Sequence, residues 1–466
     1  MTRNKNFPQN LRTVFELRKT VPTRHRRVVA RVFEKCGAHG LTDASGTLWP
    51  IEFANTSTPT PSSGTIILCE LSARCADGGS AQKYEDDGFL LAVEKILDAT
   101  PSLAEWPNAV IPSPVAFEKC LQEASPAGHT KYFPSHASSR SQRIQARNDG
   151  LCRVRRFFQN RGFINMETPT LVPSGGVEAY VSSFHSCYRD VRGKEWPLCM
   201  PTSPEFALKK LLAEGFEKIF QLSRAYRNGG ELARWHEPEF IMLEWYRSGG
   251  TLLDMMNDTR ELVLALNTGI STIVKIPDEW KTHTVRDLFL ENCGGMDLSL
   301  LQNEKEFAAE GQKISASVNA TDDWDSVFCK LFMEKIEPIL TKEEACFVTH
   351  YPRRMGALAR VAADPLYVER FEAYLHGVEI CNGYYELTDT HELSARFDTI
   401  AKSRTASEVT RDTLFEDTMK FGLPPCSGNA LGVDRVIAIL LGQKDIASLM
   451  PIPFLSQFPP NTVAPE

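Results

Sequence analysis

Residues 219–247 read IFQLSRAYRNGGELARWHEPEFIMLEWYR, two strand-like runs joined by a polar loop that contains glycine. A strand sends successive side chains to opposite faces. In the second run Phe240, Met242, Glu244 and Tyr246 therefore point one way, and Ile241, Leu243 and Trp245 the other. The second set is ordinary core. The first places an aromatic, a carboxylate and a phenol in one row, and a carboxylate on a sheet face needs a partner if it is buried. Such a row suits a ligand with a flat ring at one end and a cation at the other. In the first run Gln221, Ser223, Ala225 and Arg227 share a polar face, with Phe220, Leu222 and Tyr226 behind. Arg227 at the strand end offers a fork-shaped, permanently charged guanidinium to a phosphate, though taken alone it reads equally well as one half of a surface salt bridge.

Two later segments carry similar chemistry. In CNGYYELTD (381–389) Asn382, Tyr384 and Glu386 share a strand face. Glu379 has the opposite parity from Glu386, so the strand must bulge or end between them if both meet one ligand. Glu372 and Glu379 have the oxygen chemistry of Mg²⁺ ligands beside a nucleotide's phosphates, although two glutamates at that spacing mean little alone. CSGNALGVDRVIAILLG (426–442) reads as a glycine-rich turn at 426–432 opening a final apolar helix. Gly428, Ala430 and Gly432 permit close backbone approach to a ligand or to another helix, and Arg435 sits one turn into the helix. The segment is neither a Walker A loop nor a Gly-x-Gly-x-x-Gly fingerprint.

The surrounding chain sets the frame. From about 139 a helix with Ile144, Leu151, Val154, Phe157 and Phe158 on one face precedes a strand at FINMETPTL and a helix at about 204–214. Residues 251–345 read as mainly helical. Runs of strands with helices set apart, without regular βαβ alternation, predict an antiparallel α+β domain over 139–466. Before it, five β-type segments in 25–103 predict a small barrel of the OB type. Residues 104–138, rich in proline and serine, read as a linker. Residues 1–24 read as a basic arm, and residues 1–31 carry nine Lys or Arg against one acid. That charge is consistent with contact to RNA or an acidic partner, or with a solvated face.

Composition narrows the class. The chain has 466 residues, 42% hydrophobic and 24% charged, with a net charge of −7. These are globular proportions; no apolar run approaches the ~18 residues of a membrane span, and the N-terminus has no signal-peptide apolar core. Twelve cysteines without Cys-x-x-Cys or zinc-finger spacing read as reduced core residues of a cytoplasmic protein.

In this order the segments resemble the three signature motifs of the class II aminoacyl-tRNA synthetases. METP with Pro169 looks like motif 1, residues 219–246 like motif 2, and SGNALGVDRV like motif 3. Within the lysine branch, TSPEFALKKLL (202–212), CNGYYELTD and Ala430 in place of a glycine most resemble the truncated ligases that modify elongation factor P. The resemblance implies a six- or seven-stranded antiparallel sheet and a homodimer. It also implies roles. Arg227 and Arg435 would hold ATP phosphates and be the catalytic cations. Phe240 would stack on adenine, with Asn228, Gly229, Glu231, His236, Glu237, Glu379, Ile380 and Gly432 around ATP. Glu372 and Glu379 would bind Mg²⁺. Ser203, Glu205 and Glu244 would hold an α- or β-amino group, Tyr246 and Glu386 the ε-ammonium, Asn382 the carboxylate, and Ala430 would shape the pocket.

Two departures stand out: an extra glycine in the motif-2 loop (Gly229, Gly230), and Glu237 where an asparagine normally faces ATP. The leading expectation is activation of lysine or β-lysine as an adenylate and transfer to a lysine of elongation factor P. Charging of tRNA(Lys) is the alternative, supported by the OB-like segment and basic arm. A third is an inactive paralogue that only binds ligand.

Overall fold

The structure is a computed structural model. It describes the backbone of residues 26–35, 38–42, 48–53, 66–75 and 89–100, and residues 140–458 apart from 177–180, 231–232, 271–273 and 404–410. The expected basic arm, the linker and Glu231 lie outside the described residues. The chain divides into two units, Met1–Arg143 and Ile144–Glu466.

In the first unit β1 (Arg26–Lys35), β2 (Ala38–Thr42), β3 (Leu48–Phe53), β4 (Ile66–Cys75) and β5 (Phe89–Thr100) close into a barrel of order β1-β2-β3-β5-β4. The pairs are antiparallel except β3 with β5. Closure leaves no unpaired edge, so five aliphatic-rich segments form a complete small sheet.

The second unit carries an eight-stranded sheet made of β6 (Ile164–Asn165), β9 (Lys218–Tyr226), β10 (Glu239–Ser248), β11 (Lys281–Thr284), β12 (Ala345–Pro352), β13 (Tyr367–Leu375), β14 (Val378–Tyr385) and β15 (Cys426–Gly432). Their order is β11-β12-β13-β14-β15-β10-β9-β6. A hairpin of β7 (Phe184–Arg189) and β8 (Glu195–Met200) stands apart. Six central strands are antiparallel and the two edge pairs are parallel, so the sheet is wider than the six or seven strands expected. The strand expected at FINMETPTL shrinks to Ile164–Asn165. A few residues on, Pro169 lacks the N–H that a longer ladder would require.

Helix α1 (Arg140–Asn160) and the helices α2 (Glu205–Ala213) and α3 (Leu252–Ile270) fall where the periodicity put them. Four further helices, α4 (Val285–Asn292), α5 (Glu304–Ile314), α6 (Trp324–Leu331) and α7 (Glu337–Leu340), build a second core against the β12 end of the sheet. Then follow α8 (Thr390–Ser403), α9 (Thr413–Phe421) and α10 (Val433–Leu440). The main core gathers Val154 and Phe158 of α1, Leu262 and Leu266 of α3 and Val436 and Ile437 of α10. They meet Phe220, Leu243, Trp245, Phe371 and Leu431 from one sheet face. Phe158 stacks on Phe220 at 5.0 Å between ring centres and leans on Trp245 at 5.2 Å. Asp434 on α10 accepts from Arg147 of α1 at 2.6 and 3.2 Å and from the Ile241 backbone N–H at 3.2 Å, which pins the helix start to both neighbours. None of the described helices is long and apolar enough to cross a membrane.

One expectation needs correction. Residues 426–432 are a central strand, between β14 and β10, and not a turn. Ala430 pairs with Glu244 on one side and Asn382 on the other, and Gly428 pairs with Tyr246 and Tyr384. The small side chains serve what lies over the strand. A Cβ on Gly428 would come within 2.3 Å of the Tyr246 ring and 2.6 Å of Glu386 Oε1. Gly428→Ala is therefore expected to cost about 1–3 kcal/mol by overpacking, read as a shift in denaturant midpoint.

Candidate active site

The helix-covered sheet face is apolar, and a cavity of about 1260 Å³ lies over the other. Its lining includes Ser203, Glu205, Arg227, Glu244, Tyr246, Asn382, Glu386 and Ala430, all eight singled out from the sequence. The alternation of β10 explains the split: Leu243 and Trp245 are in the core while Glu244 and Tyr246 face the cavity.

Glu244 is 1% exposed and accepts a 3.0 Å hydrogen bond from the Tyr246 hydroxyl. Burial, with the nearby Glu205 charge, pushes its carboxyl up to about 8. Burial and the three surrounding glutamates likewise hold the Tyr246 phenol well above its ordinary range. Glu386, also 1% exposed, meets Lys209 Nζ at 2.5 Å, and the same ammonium meets Glu205 Oε1 at 2.6 Å. Burial raises Glu386, and Lys209 only partly offsets it. Burial lowers Lys209, but the two carboxylates outweigh it and keep the ammonium charged. Three carboxylates thus share one resident cation.

Lys209 is absent from the residues chosen from sequence. Its signal was the Glu205–Lys209 spacing of four inside a helix, which puts both on one face. In sequence that pattern is indistinguishable from a surface ion pair; burial alone distinguishes it.

A second set lies beside the first. The Arg227 guanidinium sits 5.3 Å from the Phe240 ring centre, and its buried Nε has no hydrogen-bond partner. Arg435 donates to Trp235 O at 3.1 Å and to Glu379 O at 2.8 Å, and its Nη2 lies 3.0 Å from His236 Nε2. These contacts bring the motif-2 loop, β14 and α10 together. Glu237 faces elsewhere. Its carboxylate accepts from the Phe454 backbone N–H at 3.1 Å, and burial together with Asp434 and Asp445 raises it. Phe240, His236, Glu237, Asn228, Gly229, Gly432 and Arg435 lie outside the cavity lining, as do Glu372, Glu379 and Ile380.

β14 bulges as its parity demands: Ala373 pairs with Cys381 and Tyr374 with Glu379, leaving Ile380 unpaired. Glu372 accepts from Tyr351 and Tyr374 hydroxyls at 2.5 Å each and from Arg370 at 2.6 Å. Burial and the Glu372 charge push Glu379 up to about 7 against the pull of Arg435, Arg370 and Arg227. No cluster of three or more potential protein ligands for a metal occurs among the described residues. Two carboxylates close enough for one to raise the other nevertheless fit Mg²⁺, which takes one or two protein oxygens and completes its shell with phosphates and water.

The chain belongs to the class II tRNA synthetase family (D, K and N), whose model matches residues 129–456. It is similar to proteins named elongation factor P--(R)-beta-lysine ligase. The protein of Hamiltonella defensa is 32% identical over 66% of this chain and 93% of its own length. That of Sodalis glossinidius is 33% identical over 62% and 87%, and that of Yersinia enterocolitica 32% over 65% and 92%.

A carboxyl whose folded pKa is raised favours the folded state while protonated, and that stabilisation is lost as pH rises through the folded value. Glu244, at about 8, should make the ligand-free protein lose stability between pH 5 and 8. The slope reaches ~1.4 kcal/mol per pH unit where the proton is held only in the fold. Thermal melts across that range should show the loss; Glu244→Gln should remove its share and leave the smaller part that Glu379 and Glu386, both raised to about 7, contribute.

Proposed function

We propose that the protein activates a diamino acid, lysine or β-lysine, with ATP and transfers the aminoacyl group to a lysine side chain of elongation factor P. The observation that carries this reading is the carboxyl count: Glu205, Glu244 and Glu386 outnumber their one resident ammonium, Lys209, by two, and the two ammonium groups of an incoming substrate would draw the proton from Glu244. Glu244, with Ser203 and Glu205, would take the α- or β-ammonium, and Glu386 with Tyr246 the ε-ammonium. Asn382, across Ala430 from Glu244, would take the carboxylate. The Ala430 methyl lies between those two positions and would shape which isomer fits, since pocket shape sets which amine is accepted.

With the substrate so held, its carboxylate oxygen attacks the α-phosphorus of ATP, the bond to pyrophosphate breaks, and an aminoacyl-adenylate forms. Arg227 would hold the α-phosphate and Arg435 the γ-phosphate, with Phe240 under adenine and His236 beside the phosphates. Glu372 and Glu379 would hold Mg²⁺, which neutralises phosphate charge when bound. The acceptor amine then attacks the carbonyl carbon and AMP departs. No enzyme nucleophile is needed; in-line positioning and charge neutralisation carry the rate. The names of the relatives support the acceptor, and the family supports the chemistry.

A second reading, charging of tRNA, is favoured by one observation, the five-stranded barrel that precedes the catalytic unit in the chain. Purified enzyme offered both elongation factor P and tRNA with labelled lysine or β-lysine decides between them: label is expected on the protein, and label on tRNA alone would reverse the assignment. Failure to form an adenylate with lysine, either β-lysine isomer or any other amino acid would instead mark a ligand-binding paralogue. Arg227→Ala should reduce ATP–pyrophosphate exchange by ~10²–10³-fold while leaving the thermal melt in place; undiminished exchange would remove Arg227 from the chemistry.

A further inference from the structure

Arg370 is a residue of β13 that none of the roles above uses. Its side chain is 12% exposed and makes three directed contacts. Nε–H donates to Asn382 Oδ1 at 3.1 Å, Nη2–H donates to Glu372 Oε1 at 2.6 Å, and Nη1–H donates to Met355 O. The guanidinium lies over Tyr351, 4.4 Å from the ring centre, which fixes its plane.

The first contact has a chemical consequence for the substrate. An asparagine amide has an acceptor end and a donor end, and the hydrogen-bond network decides which faces which way. With Oδ1 committed to an N–H donor, only the NH₂ end of Asn382 is left for the cavity, which Asn382 lines. That end recognises a carboxylate; the flipped amide would present an acceptor and repel it. The second contact holds the Glu372 carboxylate on the phosphate side. The third fastens Met355, and Arg353, Arg354, Met355, Ala357 and Leu358 all line the cavity. One planar fork therefore joins the carboxylate site, the acidic pair and the cavity wall.

We propose that Arg370 is the positioning residue that sets the donor end of Asn382 toward the carboxylate of the bound diamino acid, and so selects amino acids over bare diamines. The inference rests on the functional reading above. It touches neither ammonium site, since Glu244, Glu386 and Lys209 make no contact with Arg370 among those described.

The test compares ligands that differ only in the carboxylate. Full-length wild type, Arg370→Met and Arg370→Lys are titrated calorimetrically with lysine against 1,5-diaminopentane and with β-lysine against 1,4-diaminopentane, each diamine keeping the two ammonium groups of its partner and lacking the acid. Arg370→Lys retains a cation for Glu372 but not the fork, so it guards against simple loss of fold in Arg370→Met. Both variants are expected to weaken binding of the preferred diamino acid at least tenfold and to change that of its matching diamine less than twofold. Equal weakening of all ligands, or no weakening of any, in the folded Arg370→Lys variant overturns the positioning role and leaves the functional reading intact. Wild type that binds neither lysine nor β-lysine overturns the functional reading, and this inference with it.

Discussion

The structure turns on the Lys209 ammonium, held between Glu205 and Glu386 under a sheet face that would otherwise be buried as core. Taking charges out of water costs several kcal/mol per ion, and a buried pair is justified by what it specifies more often than by what it stabilises. Here the pair is incomplete by design: Glu244 and the remainder of Glu386 have no resident cation of their own. Everything above the face follows from that deficit. The strand beneath must be stripped to Gly428 and Ala430 so that Tyr246 and Glu386 can lie across it. Tyr246 points its hydroxyl at Glu244 from the same strand face.

The side that holds Arg227 and Arg435 works by the opposite logic. There cations outnumber their direct partners: Arg435 is committed to backbone carbonyls and His236 rather than to a carboxylate, and Arg227 stands over Phe240. An acid-rich half and an arginine-bearing half meet along β14 and β15. Glu237 is turned to the backbone of Phe454, where it anchors the C-terminal segment.

Much of this was legible in the sequence because strands have a period of two. Once FIMLEWYR is a strand, Glu244 and Tyr246 must share a face with Met242, and the structure places them so. The bulge in β14 was likewise forced by the parity of Glu379 and Glu386. What sequence hid were features whose signal is an absence. Residues 426–432 contain too few large side chains to show any alternation, so a central strand passed for a turn. Lys209 and Arg370 look like ordinary surface cations until the helix and strand that carry them are placed against neighbours. The parallel edges of the sheet depend on tertiary contacts that no local pattern encodes.

The unpaired Ile380 gives the site an unusual sensitivity to chain length. On an unbroken strand every second residue would face the cavity, and Glu379 could join Asn382 and Glu386 on one side only by changing its sequence number. The extra residue lets two sets of acids, read in opposite phase, belong to one strand. Substitutions around it can be gradual, since each alters one contact. Loss or gain of a single residue there cannot be gradual, because it would reverse the phase of one set entirely and carry an acid into the hydrocarbon interior. Between Glu379 and Asn382, then, descent can change the letters of this protein far more freely than their count.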